Sequence, residues 1–358
     1  MQRVESPEQL ILAAEAVRLA AKDCQFTLVG LAPAAPLDPA PLASWLAAGY
    51  AADMDWMSRR LPERLDPTAV LAGARTVIAL AIAYHRPPGE QSEHAAVARY
   101  ARGRDYHYAH RDRMKALRKR LLALDPRLET YAAVDTGLAM EKVWAERAGL
   151  GWIGKNGLLI NPKLGSWLTL SVMFVDRAVD SYDSPHDRRC GACTLCLGAC
   201  PTGAFAAPGV VDSRRCIAYQ SIENRGAVPD ALRAAFAERV FGCDVCQEVC
   251  PWNARPQAEG DARFAPRPLA ALAPAEIAAL GPADFERLAA GMALARAQYD
   301  GLRRNALYAI GAAPARPDAA TRAVVDRLVD DPAPVVADAA RWARARLDPG
   351  RGDGGEQR

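Results

Sequence analysis

A chain of 358 residues, 51% of them hydrophobic, is long enough for two or three domains with cores of their own, which excludes a disordered polypeptide. Its 45 Lys and Arg against 42 Asp and Glu leave a net charge of +3, too small for the total to mark a nucleic-acid binder, so the distribution of charge carries the information. No apolar run approaches the roughly 18 residues of a membrane-spanning helix, and the N-terminus lacks the pattern of a secretory signal, so a cytoplasmic protein without membrane contact is expected.

Ser6-Pro7-Glu8-Gln9 supplies an N-cap, a proline at the first helical position and a capping-box Gln before an alanine- and leucine-rich run, which predicts a helix over 7–22. Short apolar runs at 26–29, 77–83, 131–134 and 167–175 then alternate with helix-like stretches at 107–123 and 138–148. That alternation predicts an α/β domain over 1–180 within an α+β/α/β multidomain chain. From 181 to 258 the composition turns to Cys, Gly and Pro with little periodicity, as expected where metal ligation replaces an apolar core. Helical periodicity returns at 302–310, 319–329 and 335–347, with Gly311 and Pro332 where helix stops belong. Asn305-Ala306 and Asp338-Ala339 recur in similar alanine-rich settings, so 259–347 reads either as HEAT-like two-helix repeats or as an ordinary helical cap. The tail 348–358 is Gly-rich and charged and is expected to be disordered.

Eight of the nine cysteines fall between Cys190 and Cys250, and clustered thiols in a reducing compartment serve metals or catalysis rather than disulfides. Cys190, Cys193, Cys196 and Cys200-Pro201 have the spacing of a bacterial ferredoxin run; Cys216 and then Cys243, Cys246 and Cys250-Pro251 repeat its close after a long insertion. Two runs imply two 4Fe-4S clusters. In two-cluster ferredoxins the cysteine before proline ligates the neighbouring cluster, so Cys190, Cys193, Cys196 and Cys250 are expected on one and Cys200, Cys216, Cys243 and Cys246 on the other. Zinc sites also use two-residue gaps, but seldom a three-cysteine run ending in Cys-Pro twice. Cys24, far from the others, reads as a small buried hydrophobe. Two cubanes form an electron wire that needs a reacting centre at its end, and no dinucleotide or phosphate-cradling glycine motif names it.

Three stretches resemble the epoxyqueuosine reductase family, relatives of the reductive dehalogenases. They are Tyr100-Ala-Arg-Gly103-Arg-Asp105-Tyr106-His107; Val134-Asp135-Thr136-Gly137 continuing to the Gly-Leu-Gly-Trp-Ile-Gly-Lys155-Asn156 segment; and Gly242 through Asn253. Cys216 to Glu223 fits as well. The resemblance implies a cobalamin-binding α/β domain, a ferredoxin-like double-cluster module and a HEAT-like domain. It also implies reduction of the epoxide of epoxyqueuosine at the tRNA wobble position, with electrons from a low-potential donor such as flavodoxin or ferredoxin and a monomeric enzyme. A related cobalamin reductase acting on a small molecule, as the dehalogenases do, is the alternative. Leu138 and Gly157 depart from the family, which often has proline and Ser or Thr there.

By the same resemblance Asp135 is the catalytic acid, at a strand end where partial burial would raise its pKa; by local pattern alone it would N-cap a helix beginning near Ala139. Arg59, Tyr100, Asp135, Ile160, Ser171, Ala218, Arg225 and the Cys243-Asp244-Val245 turn are implied around the corrin. No histidine stands in an axial-ligand pattern, so cobalamin would bind base-off. Residues 99–120 carry nine Lys or Arg against two Asp, interleaved with tyrosines, which suits phosphates and stacked bases or else a solvated helix face. Arg102 and Arg104 there, and Arg303 and Arg304 with Arg341, Arg344 and Arg346 on the terminal helices, are the expected tRNA contacts.

Overall fold

The computed structural model describes residues 11–86, 96–254, 260–313 and 317–347. Its organising element is a four-stranded sheet of β1 (Leu28–Pro33), β2 (Thr76–Ala83), β3 (Thr130–Ala133) and β4 (Leu168–Val175), in the spatial order β1-β2-β4-β3. Every neighbouring pair is antiparallel, with Leu28 opposite Ala81, Thr76 opposite Val175 and Thr130 opposite Val175. The alternation of strands and helices expected over 1–180 is therefore present, but not the parallel sheet that such alternation ordinarily brings. β2 is an unbroken apolar run because both its faces are covered; that signal reports burial, not strand direction.

On one face Ile78, Leu80, Ile82, Met173 and Val175 pack on α1 (Ala14–Asp23) and α2 (Tyr106–Leu124) through Val17, Ala21, Met114, Leu117 and Leu121. On the other, Val77, Ala79, Ala81, Val172 and Phe174 meet Trp144 and Ala145 of α3 (Glu141–Arg147). Each such fully buried aliphatic or aromatic side chain contributes about 1.5–3 kcal/mol.

Among the described residues the first helix begins at Ala14; residues 11–13, inside the helix expected over 7–22, are not helical. Leu12 instead forms a β-bridge with Val179, and the Asp180 carboxylate accepts the Ala14 N–H at 2.9 Å, so a residue remote in sequence starts the helix. Ser6 to Gln9 lie outside the described residues. Cys24 is buried, as expected.

A third core joins Val97, Ile217, Phe236 and Phe241 to the C-terminal helices α4 (Tyr299–Ala312), α5 (Ala319–Leu328) and α6 (Pro334–Leu347). It draws on both sides of residue 258, and the segment Arg239–Phe241 pairs with Ala96–Val97. Gly311 is the penultimate residue of α4, one residue before the helix ends: a Cβ there would come within 2.6 Å of the Trp342 ring and 2.8 Å of the Ala343 Cα, so glycine is required by the close approach of α6. Pro332 does fall in the bend between α5 and α6.

Candidate functional site

The cysteine segments form two short helices, Leu195–Ala199 and Val245–Glu248, that bring the two runs together. Burial raises the Cys250 thiol, and Cys190, Cys196 and Cys193 stand close enough to raise it further. Cys246 is likewise raised by burial and by Cys243 and Cys216, and Cys216 by burial and by Cys200. Among the described residues no three His, Cys, Asp or Glu converge as they would around a single ion; the thiols act on one another at longer range, with Cys196 also raising Cys246. Backbone amides point at the sulfurs: Ala204 N–H lies 3.3 Å from Cys200 Sγ, and those of Trp252, Val245 and Ala218 favour the thiolates of Cys250, Cys243 and Cys216. A sulfur-only donor set met by amides suits clusters whose inorganic sulfide adds negative charge.

The module is fastened to the sheet domain by polar contacts. Lys155 Nζ donates to the carbonyls of Gly191 at 2.7 Å and Cys193 at 3.0 Å. Asn253 Oδ1 accepts the Ser166 N–H at 2.7 Å, and its Nδ2 donates to the Gln247 carbonyl at 2.8 Å. Asp244 is buried, and its carboxylate accepts the Arg99 N–H at 2.7 Å.

Asp135 stands just past β3 in a left-handed conformation, φ 52°, a strained backbone for a residue other than glycine. It caps no helix: α3 begins at Glu141, with Met140 in the cap position and no side-chain cap. The loop is pinned from beneath by the Leu138 N–H, which donates to Tyr131 Oη at 2.9 Å, a bond the family's proline could not make. Gly157, the other departure, has φ 72° and accepts the Lys142 ammonium on its carbonyl at 2.9 Å.

The Asp135 side chain is 61% exposed, yet it lies in a hollow walled by charged and aromatic groups. His107 Nε2 approaches its Oδ2 at 3.4 Å, and the other ring nitrogen, Nδ1, is 2.8 Å from Asp105 Oδ1. Asp105 is the N-cap of α2 and accepts the His107 backbone N–H at 2.9 Å. The Tyr106 ring stacks on the His107 imidazole, centroids 4.3 Å apart, and Tyr106 leans edge-on against Tyr100. At the mouth, Arg296 is held by Glu223 at 3.0 and 2.8 Å and covers the half-exposed Trp56 ring.

Electrostatics follow from this packing. Burial pushes the Asp135 carboxyl up, but His107, the Tyr106 hydroxyl and Arg296 outweigh it, and the group titrates below the ordinary carboxylate value. The expectation of a raised carboxyl is thus reversed, because the hollow is lined with donors. Burial disfavours charge on His107, yet the two flanking carboxylates carry it up to about 9. Glu141, beneath the loop, is pushed up to about 7 by burial and by Asp135, and its Oε1 has no partner.

The expected corrin contacts divide. Tyr100, Asp135, Asp244 and Glu223, with Arg225 3.9 Å from Glu223, share one electrostatic neighbourhood. Ala218, Cys243 and Val245 are half-buried beside it, and Arg59 is exposed on the rim near Asp55. Ile160 and Ser171 are 1% exposed and cannot touch a ligand; Ser171 Oγ instead bonds His110 Nδ1 at 2.7 Å. That histidine is pushed down to about 3 by burial, which keeps it neutral.

The basic residues divide too. Arg104 and Arg111 are exposed and lie over the exposed Tyr108 ring, whereas Arg102 is half-buried and donates to the Val97 carbonyl at 2.8 Å. Arg303 and Arg304 are not surface residues. Arg303 pairs with buried Asp331, and Arg304, fully buried, donates to the carbonyls of Gln220 at 2.7 Å and Asn224 at 2.9 Å. Both clamp the third core and are unavailable to phosphate. Sequence reasoning passed over His107, Arg296 and Glu141. Asp105-Tyr106-His107 at a helix start held a legible hint, Asp at an N-cap two residues before His; nothing in the sequence marked Arg296.

Comparison with known proteins extends this picture. A 4Fe-4S double cluster binding domain matches residues 189–253, and a family described as epoxyqueuosine reductase QueG matches 64–136. An epoxyqueuosine reductase of Gloeobacter violaceus is 44% identical over 83% of this chain and 95% of its own length. One of Pseudomonas aeruginosa is 41% identical over 77% of this chain and 78% of its own. A crystal structure of epoxyqueuosine reductase with an epoxyqueuosine-modified tRNA stem loop superposes with a TM-score of 0.85 at 28% identity, over 93% of this chain and 89% of that one.

Proposed function

The chain belongs to the epoxyqueuosine reductase family, and on that premise we propose that it reduces the epoxide of epoxyqueuosine at the tRNA wobble position to the alkene of queuosine. The observation that carries this to the level of residues is the Asp135 carboxylate, open in a hollow that Tyr100 and Asp244 join to the cysteine module.

In this reading Cys190, Cys193, Cys196 and Cys250 bind one 4Fe-4S cluster, and Cys200, Cys216, Cys243 and Cys246 the other. Cys250 acted on by Cys190, Cys193 and Cys196, and Cys246 acted on by Cys243 and Cys216 ahead of Cys196, support that division. Tyr100, Asp135, Ala218, Arg225 and the Cys243–Val245 turn would hold cobalamin, with exposed Arg59 beside it and without the buried Ile160 and Ser171. When bound, it supplies a low-valent cobalt as nucleophile and reductant. His107 is engaged by Asp105 and Asp135 and His110 by Ser171 and Thr169, so neither would be free for cobalt; base-off binding is what the family resemblance implies.

The chain's own residues do the rest. Tyr100 and Tyr106 exclude water from one side of the hollow. Asp135 handles the proton for the departing oxygen. Arg104, Tyr108 and Arg111 offer cations and a ring to the tRNA backbone and bases, a surface a small-molecule reductase would not need. A low-potential carrier such as flavodoxin or ferredoxin would deliver electrons, and the terminal helices would serve as a HEAT-like domain of a monomeric enzyme. The test is anaerobic reconstitution with iron and sulfide, absorption spectra with and without cobalamin, and turnover of tRNA bearing epoxyqueuosine. Cobalamin-dependent conversion is the expected result; turnover indifferent to cobalamin would overturn the cofactor assignment.

A further inference from the structure

Converting an epoxide to an alkene and water breaks two C–O bonds, forms one C=C bond and consumes two electrons and two protons. The electrons come from the reductase's external donor. Asp135 carries one proton at a time, and its surroundings favour the ionised form, so the site must contain a means of charging it.

The geometry around His107 provides one. Its Nδ1 lies 2.8 Å from Asp105, and Asp105 is fixed in turn by capping α2 through the His107 backbone N–H. Nδ1 therefore holds a proton donated to Asp105, which leaves Nε2 to face Asp135 Oδ2 at 3.4 Å. Nε2 is buried and has no other partner. A lone pair and a carboxylate turned toward each other in a partly dry site repel, so a proton belongs between them. The ring cannot turn away, because Tyr106 stacks on it and Asp105 grips its far side.

Given the reductase reading, on which this role rests, we propose that His107, oriented by Asp105, is the proton reservoir for Asp135, which acts as a conduit between the imidazolium and the departing oxygen. As the first C–O bond breaks, the proton on Nε2 passes to Asp135 Oδ2 and the carboxyl proton passes to the oxygen, leaving a neutral imidazole, a carboxylate and a substrate hydroxyl. The uncharged imidazole facing the carboxylate then draws a proton from solvent. The second proton follows the same route, the hydroxyl leaves as water, and the second C–O bond gives way to the C=C bond. The other groups facing the pair are Tyr106, His110 and Arg111 on its own helix, Tyr100 beside it, Glu141 and Lys142 on α3 beneath the Asp135 loop, and Arg296 with Glu223 across the mouth. Burial keeps His110 neutral, and Arg296 is matched by Glu223, so the two carboxylates dominate. The high titration point of His107, about 9, agrees with a loaded reservoir at neutral pH.

His107→Gln keeps a donor toward Asp135 but has no proton to give, and Asp105→Asn removes the charge that keeps the reservoir full. At about pH 8 the Gln variant should turn over epoxyqueuosine tRNA about tenfold or more slowly, with the deficit narrowing toward pH 6 as the supply of solvent protons to the Asp135 carboxylate grows. Asp105→Asn should move the alkaline limb of the rate profile down by about one pH unit or more. Independently of activity, the melting temperature of the cluster-loaded parent should fall as pH rises through the His107 titration, and that fall should vanish in the Gln variant. A Gln variant slowed equally at every pH would overturn the proposal and make His107 a structural support, as would melting curves with the same pH dependence in both proteins. A parent that fails to turn over the tRNA at any pH would sink the reductase reading instead, while the melting curves still decide whether His107 is charged.

Discussion

Cys190, Cys193, Cys196 and Cys200 follow one another within a single loop and short helix, and the second run adds Cys216 and the 243–250 segment. The hollow beside them draws Asp105 and His107 from the start of α2, Asp135 from the end of β3, Glu223 from the cysteine-rich half and Arg296 from the approach to α4. The first region is specified by spacing along the chain, because a cubane imposes its own geometry on whatever loop carries the thiols. The second exists only where four distant segments meet. Its electrostatics belong to the assembly: His107 and Arg296 reverse the shift that burial alone would impose on Asp135.

That contrast can be broken by substitution, and the largest effect should come from the cysteines. Cys243→Ser should lower iron from about eight per chain toward four and abolish turnover, since no other thiol can replace a ligand set by the run. Iron and sulfide analysis reads it, and stoichiometric zinc in the parent would refute the cluster assignment. Asp135→Asn should leave both clusters intact and slow conversion by roughly 10²-fold or more, the scale of a lost positioned acid. Because Asp135 caps nothing, Asp135→Ala should lose only the cost of an alanine in the left-handed region, about 1 kcal/mol beyond the Asn variant in denaturant titration.

Smaller effects separate the two kinds of arginine. Arg303→Ala strands Asp331 in the core and should cost about 3–5 kcal/mol of stability by denaturant titration, without changing the salt dependence of tRNA binding. Reversing charge at Arg104 and Arg111 should do the opposite: the slope of log affinity against log salt should shrink by about one for each phosphate no longer neutralised, with melting unchanged. An unchanged slope in that double variant would remove α2 from the tRNA interface.

The smallest effect concerns pH. A group whose folded pKa is raised from 6.5 to about 9 stabilises the fold fully below the lower value and loses that contribution as pH rises through the upper one. His107→Gln should therefore flatten the pH dependence of stability across that window, with its deficit against the parent greatest on the acid side and vanishing above the upper value.

Local pattern made much of the fold legible. The strands expected at 77–83 and 167–175 run over 76–83 and 168–175, and the helix expected at 107–123 runs over 106–124, because apolar periodicity and flanking turns are local signals. It failed where a partner far along the chain decided the outcome. Asp180 starts α1 at Ala14, and Asp331 and the carbonyls of 220–226 bury two arginines that periodicity alone left facing solvent.

By itself the sequence determined the double-cluster module, the strand and helix content of the sheet domain, and the residues that tie the chain to its family. Each of these is written in spacing or in a contiguous motif. Only the tertiary structure decided that the sheet is antiparallel, that Ile160 and Ser171 are core residues, and that Asp135 rests ionised against His107. Strand direction, burial and pKa are properties of neighbours brought together in space, and no single segment contains its own neighbours.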